Sequence, residues 1–353
     1  MKSITTPMLT LCMAVDKLFL KACAGEKTSH TPIWLNRQAG RYMPEYHQVK
    51  GNTPSLEFFK NPDLAAKAAL DAQRILGVDA AILFADLLPM LEPMGLDLDY
   101  VPGKGPVFSN PLRTEKDIVQ LLNSPAEEAT PYIAITISNI LEELPRNIAL
   151  IGFAGAPYTL ASYAIEGGGS SNYANVKKLM YESEGVWNLL LNKLTDQLIS
   201  YLRLQVDAGV DALQIFDTWV GGLSTHDFRR YVLPHIKRLI SSIKGEVPII
   251  YFGTGNSHLL QDIMQAEPDV MALDWRQPID EIWEKLSCTS VQGNLDPLVL
   301  CADRATIAEQ SQIILDSVGS KPGHIFNLGH GIIPQTPVDN VKFLVDYVHE
   351  STS

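Results

Sequence analysis

Four cysteines are all that the 353 residues contain, Cys12, Cys23, Cys288 and Cys301, in two loose pairs with no CxxC spacing. No HxC or HxxxH pattern occurs either, so neither a zinc site nor a redox motif is supported, and reduced thiols in a cytosolic protein are expected. Positive charge is also scarce: Lys and Arg number 28 against 40 Asp and Glu, a net charge of −12. That balance excludes broad electrostatic binding to nucleic acid or an anionic membrane, though not a local anion site. No apolar run approaches the roughly 18 residues that a membrane helix needs. The GxSxG elbow, the Walker loop and HExxH are all missing, and nothing marks a pyridoxal-phosphate or nicotinamide site.

Hydrophobic residues make up 46% and charged residues 19% of the chain, ordinary values for a globular protein whose length permits a large core. Met8–Val15 is apolar and Ala22-Cys23-Ala24 resembles a signal cleavage site. Asp16 and Lys17 interrupt the run, however, and Lys2 alone stands before it. An amphipathic helix over roughly Ala14–Ala24 is the better reading.

Beyond it, short apolar runs alternate with longer helical patterns. Strands are expected at Pro32–Asn36, Ala80–Ala85, Ala149–Phe153, Ala212–Phe216, Pro248–Phe252, Val270–Asp274, Ser290–Gln292 and His324–Asn327. Helical patterns between them include Asp63–Leu76, Ala134–Leu144, Asn175–Asp207, His226–Ile243, Leu259–Glu267, Ile279–Lys285 and Thr306–Val318. Eight such units imply a parallel α/β sheet closed into a (β/α)8 TIM barrel, with a doubly wound open sheet as the alternative. No linker or repeat divides residues 1–353, so a single domain is expected. The largest interruption, Glu92–Pro111 after the second strand, holds an alternating Leu96–Val101 and the turn Pro102-Gly103-Lys104-Gly105-Pro106, a hairpin suited to cover the barrel mouth.

Catalytic residues of such barrels sit at the C-terminal ends of the strands. The first end reads Arg37-Gln38-Ala39-Gly40-Arg41, two guanidiniums at spacing four with Gly40 letting the backbone approach: a clamp for a polyanion, phosphate or carboxylate. Asp86 ends the second strand and is read equally well as a helix cap or a site residue. Tyr163 could face a ligand or be buried on a backbone partner. Thr218 and His330 end the fourth and eighth strands. His330 could donate to a carboxylate or transfer a proton. Gly167-Gly168-Gly169-Ser170-Ser171 reads as an anion cradle or, equally, as a loop with a serine cap. Gly253-Thr254-Gly255 begins like a dinucleotide fingerprint but lacks the third glycine. From these residues alone the chain is a barrel enzyme for a small polyanion.

Two long stretches, "RQAGRYMPEY" and "GFAGAPYTLASYAIEGGGS", with "PGKGP", "LDW", "QGNLDP" and "NLGHGI" in the same order, resemble the uroporphyrinogen decarboxylase family over nearly the whole chain. The resemblance implies a cytoplasmic (β/α)8 homodimer that uses no metal and no organic cofactor. Its implied activity is carboxy-lyase chemistry of porphyrin and heme biosynthesis: the four acetate side chains of uroporphyrinogen III become methyl groups, giving coproporphyrinogen III. Matching motif to motif, the implied substrate-binding residues are Arg37, Gln38, Ala39, Gly40, Arg41, Asp86, Tyr163, Thr218 and His330. Thr218 stands where many relatives carry serine, and "FGTGNSH" lacks a lysine present in some, so no lysine role transfers.

Such a reaction needs an electron sink. Protonating the pyrrole carbon next to the acetate creates one in the substrate itself, consistent with the missing cofactor motifs. Asp86 is then expected to stabilise the cation as a catalytic residue. Arg37, Arg41 and His330 are expected to compensate the substrate's carboxylates. Arg37 is a poor acid, so a role in proton delivery requires a relay through water or substrate. Two other readings stand beside this one: a zinc-dependent corrinoid or thiol methyltransferase of the same superfamily, and a non-catalytic tetrapyrrole-binding protein.

Overall fold

A computed structural model describes residues 16–353. Cys12 and the Met8–Val15 run lie outside the described residues, and of the N-terminal helix the described part is Leu18–Cys23.

Seven parallel strands form the curled sheet: β1 (Ala80–Ile82), β4 (Ala149–Gly155), β5 (Ala212–Asp217), β6 (Ile249–Gly253), β7 (Val270–Ala272), β8 (Ser290–Gln292) and β9 (His324–Ile325), adjacent in that order. The eighth expected strand, Pro32–Asn36, is reduced to a single parallel bridge between Ile33 and Phe326. Pro32 has no N–H to give, and the Asn36 N–H goes to the side chain of Asn327, so a regular ladder cannot extend. The segment still closes the barrel. Its Pro32 carbonyl accepts from Phe326 N–H at 2.8 Å, its Trp34 N–H donates to the Phe326 carbonyl at 3.3 Å, and its Ile33 carbonyl accepts from Asp79 N–H at 2.9 Å.

The barrel interior carries a polar chain across its axis. Trp34 Nε1 donates to Gln292 Oε1 at 2.9 Å, Gln292 Nε2 to Gln214 Oε1 at 3.0 Å, and Gln214 Nε2 to Asn36 Oδ1 at 3.2 Å. Each amide is buried and paired, which fixes the rotamers beneath the mouth. Above this layer Ile82, Phe153, Phe216 and Phe252 turn apolar surface toward the C-terminal end.

Three helical patterns are broken. In Leu259–Glu267 only Leu260–Ile263 is α-helical, between the 3-10 turns Ser257–Leu259 and Met264–Ala266. Asn175–Asp207 divides at Ser183 into Ala174–Glu182 and Glu184–Asp207, with the weak helix formers Ser183 and Gly185 at the junction. His226–Ile243 divides into Thr225–Tyr231 and Leu233–Ile243, because Pro234 cannot donate to the preceding turn. Helices Pro44–Lys50, Ser55–Lys60, Pro157–Glu166 and Val338–Thr352 add to those expected from periodicity. The insertion is a hairpin of β2 (Leu98–Val101) and β3 (Gly105–Phe108), paired antiparallel.

Candidate active site

A cavity of about 320 Å³ opens at the C-terminal end of the strands, lined by Arg37, Ala39, Asp86, Tyr163, Thr218 and His330 among mostly apolar neighbours. Residues from four loops and one helix thus meet in one place. Pro106 of the hairpin also reaches the lining.

The two arginines part company. Arg37 has a left-handed backbone, φ +63°, uncommon for a side chain with a Cβ. That turn sends its side chain along Gly331, where an added Cβ would stand 2.4 Å from Arg37 Cδ. Arg41 is exposed and off the cavity lining. It lies near enough to Tyr46 to influence its hydroxyl, and the Tyr46 ring packs edge-on to Phe84 at 5.8 Å. Arg41 therefore belongs to the rim, and the clamp read from spacing is split between wall and rim.

Gln38, expected to bind substrate, is buried with both ends of its amide occupied. Its Oε1 accepts from Leu35 N–H at 3.1 Å and its Nε2 donates to the Ala80 carbonyl at 3.1 Å. It ties the loop to β1 and does not line the cavity. Gly40 is also off the lining, and a Cβ there would press on the Arg37 carbonyl at 3.1 Å.

Asp86 is not the helix cap that the sequence allowed, because the short helix Pro89–Leu91 has Leu88 at its N-cap and no side-chain capping bond. One carboxylate oxygen accepts from Leu88 N–H at 3.1 Å, and the group faces the cavity. Burial pushes its carboxyl above the ordinary range, opposed by the Tyr100 hydroxyl, the Leu88 N–H and Arg37. Tyr100, on β2, was not singled out by motif. Its buried hydroxyl has no hydrogen-bond partner yet stands within electrostatic reach of Asp86, and burial, with Asp86 next, drives its pKa upward. Only the hairpin register reveals this neighbour, since Leu96–Val101 reads simply as an alternating strand.

His330 sits between close contacts. A Cβ at Gly329 would fall 2.3 Å from Trp275 N, so this loop lies directly on the β7 end. The His330 ring meets Phe252 and Trp275 edge-on at 6.5 and 6.3 Å. Burial, then Arg37 and Arg276, pushes its pKa down to about 4. Burial and the two guanidiniums therefore favour the neutral imidazole, a hydrogen-bonding group on the cavity wall. Arg276 lies over Trp275 at 3.9 Å and pairs with Asp274 at 2.6 Å, a further cation near the mouth that no motif indicated.

Tyr163 reaches the lining from helix Pro157–Glu166, its ring 5.7 Å from Trp219. Burial and the Asp86 charge push its hydroxyl up to about 12, keeping it a neutral donor. Beside Thr218, Asp217 is fully buried and accepts from Thr159 Oγ1 and Tyr251 hydroxyl at 2.7 Å each. Burial lifts its pKa to about 6 against those two bonds. The triple glycine is no anion cradle. Glu166 Oε1 already accepts from the Asn175 and Val176 N–H groups at the next helix start. Gly167 caps its own helix at φ +84° and packs on Pro111.

The cavity thus combines an apolar-walled pocket, one carboxylate with a raised pKa, one arginine beside it and neutral donors around it. The family model described as Uroporphyrinogen decarboxylase (URO-D) matches residues 15–351. A uroporphyrinogen decarboxylase of Carboxydothermus hydrogenoformans is 47% identical over 341 residues, covering 96% of this chain and 97% of that protein. One of Thermus thermophilus is 48% identical over 337 residues, 95% and 98% of the two chains. Among solved structures, a methyltransferase from Methanosarcina mazei superposes with a TM-score of 0.80 at 22% identity, covering 95% of this chain and 99% of that one, which shows a shared fold.

Proposed function

This chain belongs to the uroporphyrinogen decarboxylase family, and we infer from that membership and from the cavity that it removes carbon dioxide from the four acetate side chains of uroporphyrinogen III, giving coproporphyrinogen III. The observation that carries the site reading is Asp86: a carboxylate held in a desolvated, aromatic-walled cavity with Arg37 beside it.

The chemistry follows from the substrate. A proton adds to the pyrrole α-carbon adjacent to the acetate, leaving an iminium-like cation in the ring. The bond from the methylene to its carboxylate breaks, carbon dioxide departs, and the electron pair neutralises the ring. A second proton completes the methyl group while the ring carbon returns its own, so one proton replaces each carbon dioxide. Asp86 accepts from the pyrrole N–H groups, and its charge opposes the developing cation. In a cavity with few competing dipoles that interaction is stronger in the transition state than in the ground state. Arg37 from the wall and Arg41 from the rim hold carboxylates, while Tyr163, Thr218 and neutral His330 donate hydrogen bonds to them.

A metal-dependent methyltransferase is disfavoured by the residues present, since the cavity lining carries one histidine and no cysteine. We further propose that the chain acts as one domain, as a homodimer, and in the cytoplasm. Family membership supports all three.

Anaerobic incubation with uroporphyrinogen III and chromatography of the products tests the function. Accumulation of tetracarboxylate product supports it, and substrate recovered unchanged from folded protein refutes it. For the site, Asp86→Ala is expected to lower turnover far more than it weakens product binding; equal losses would make Asp86 a binding residue only.

A further inference from the structure

At the end of the barrel away from the cavity, three side chains remote in sequence converge. His30 precedes the closing segment, Asp79 stands just before β1, and His349 lies in the last turn of helix Val338–Thr352. His349 Nε2 is 2.8 Å from Asp79 Oδ2, and His30 Nε2 is 3.4 Å from Asp79 Oδ1. The two imidazole rings are 4.6 Å apart between centroids. Among the described residues this is the group of His, Cys, Asp or Glu side chains whose ligating atoms all lie within 4.8 Å of one another.

We propose that His30, Asp79 and His349 form a binding site for a borderline divalent metal ion of the zinc and cobalt type, distinct from the catalytic cavity. Four tetrahedral ligands at zinc–nitrogen distances of about 2.0–2.1 Å stand about 3.4 Å apart, so the observed separations need only small side-chain rotations. Two imidazoles and one carboxylate suit Zn²⁺, Co²⁺ or Ni²⁺ better than Mg²⁺ or Ca²⁺, which prefer all-oxygen shells.

The supporting contacts are those of a held site. Ser29 Oγ lies 3.3 Å from His30 Nδ1, the ring nitrogen facing away from the carboxylate. Asp79 Oδ2 also accepts from Ile33 N–H at 2.8 Å, which anchors the carboxylate to the barrel seam. The Thr31 N–H donates to Thr352 Oγ1 at 2.9 Å, fixing the C-terminal helix against the His30 loop. All three ligand residues are half-buried, leaving access for the ion and a water as fourth ligand. A bound ion would staple the chain's last helix and the closing segment together where the sheet has its weakest pairing.

The test uses the full chain after exhaustive chelation. Titration with Co²⁺ followed by visible absorption, and with Zn²⁺ by calorimetry, is expected to give one equivalent, with tetrahedral cobalt bands and a rise in Tm on zinc addition. His349→Ala and His30→Ala, each folded by circular dichroism, should weaken binding at least tenfold and abolish the Tm shift. Decarboxylation should continue in chelator and in both variants, separating this site from catalysis. Absence of saturable binding to the wild type overturns the proposal. So does undiminished binding by the His30→Ala/His349→Ala double variant; if that variant does not fold, undiminished binding by either single variant has the same force.

Discussion

Replacing Gly331 with alanine should disable the site through Arg37 while leaving the fold intact. The new Cβ would stand 2.4 Å from Arg37 Cδ, 2.7 Å from Cγ and 2.9 Å from Nε. Ordinary carbon contacts need about 3.5–4.0 Å, so the arginine stem must retreat by about 1 Å or more. Nothing else lies among the nearest atoms, and Arg37 is exposed toward the mouth, so its side chain can swing outward. Gly331 is itself buried, so the stability cost is that of local overpacking, about 1–3 kcal/mol, reduced as far as the Arg37 side chain yields. The functional cost is that of a misplaced charged donor, about 1.5–3 kcal/mol, or roughly 10- to 160-fold in kcat/KM for anaerobic decarboxylation. A double-mutant cycle makes the argument specific. If Gly331→Ala acts only by moving Arg37, it should cost nothing further in an Arg37→Ala background. An equal loss in both backgrounds, or a Gly331→Ala enzyme within twofold of wild type, would falsify the account of how Arg37 is placed.

Other expectations follow from the same geometry. Tyr100→Phe removes the hydroxyl that holds the Asp86 pKa down, so the acidic limb of the kcat/KM profile should move to higher pH; an unmoved limb would show that Tyr100 does not couple to Asp86. Asp217 has a folded pKa raised to about 6, above the unfolded value of about 3.9, so its contribution to stability is fully present below about pH 4 and lost as pH rises through 6. In urea titrations, the stability of wild type relative to Asp217→Asn should therefore rise from pH 8 to pH 4.5, on the order of 3 kcal/mol over the complete transition. A flat difference would mean that Asp217 is ionised throughout. Arg37 carries φ +63°, so Arg37→Gly should be about 1 kcal/mol more stable than Arg37→Ala, with both poorly active; equal stabilities would remove the claim of backbone strain.

Much of the architecture is a short-range property of the chain. Apolar runs of strand length followed by helical periodicity announced the barrel, and polar residues after each run marked the end at which the cavity opens. That is how Arg37, Asp86, Tyr163, Thr218 and His330 could be named before their geometry, and how six ordered motifs indicated the family. Where periodicity erred, local chemistry explains it: Pro32 and Asn36 withhold ladder hydrogen bonds, and Pro234 interrupts a helix.

What only the tertiary structure decided depends on what the rest of the chain packs against each residue. Spacing presented Arg37 and Arg41 as one clamp, but a left-handed turn and the bare backbone of Gly331 send one into the wall and leave the other on the rim. Gln38 sits inside the same motif yet is held by Leu35 and Ala80. The charge of His330 follows from desolvation and nearby guanidiniums, neither of which is written in Gly-His-Gly. Tyr100 meets Asp86 only through the hairpin's register. Asp79 and His349 touch across 270 positions because the C-terminal helix returns to the seam where the barrel closes. Periodicity is carried by neighbours along the chain, whereas protonation, charge placement and ligand sets are carried by neighbours in space.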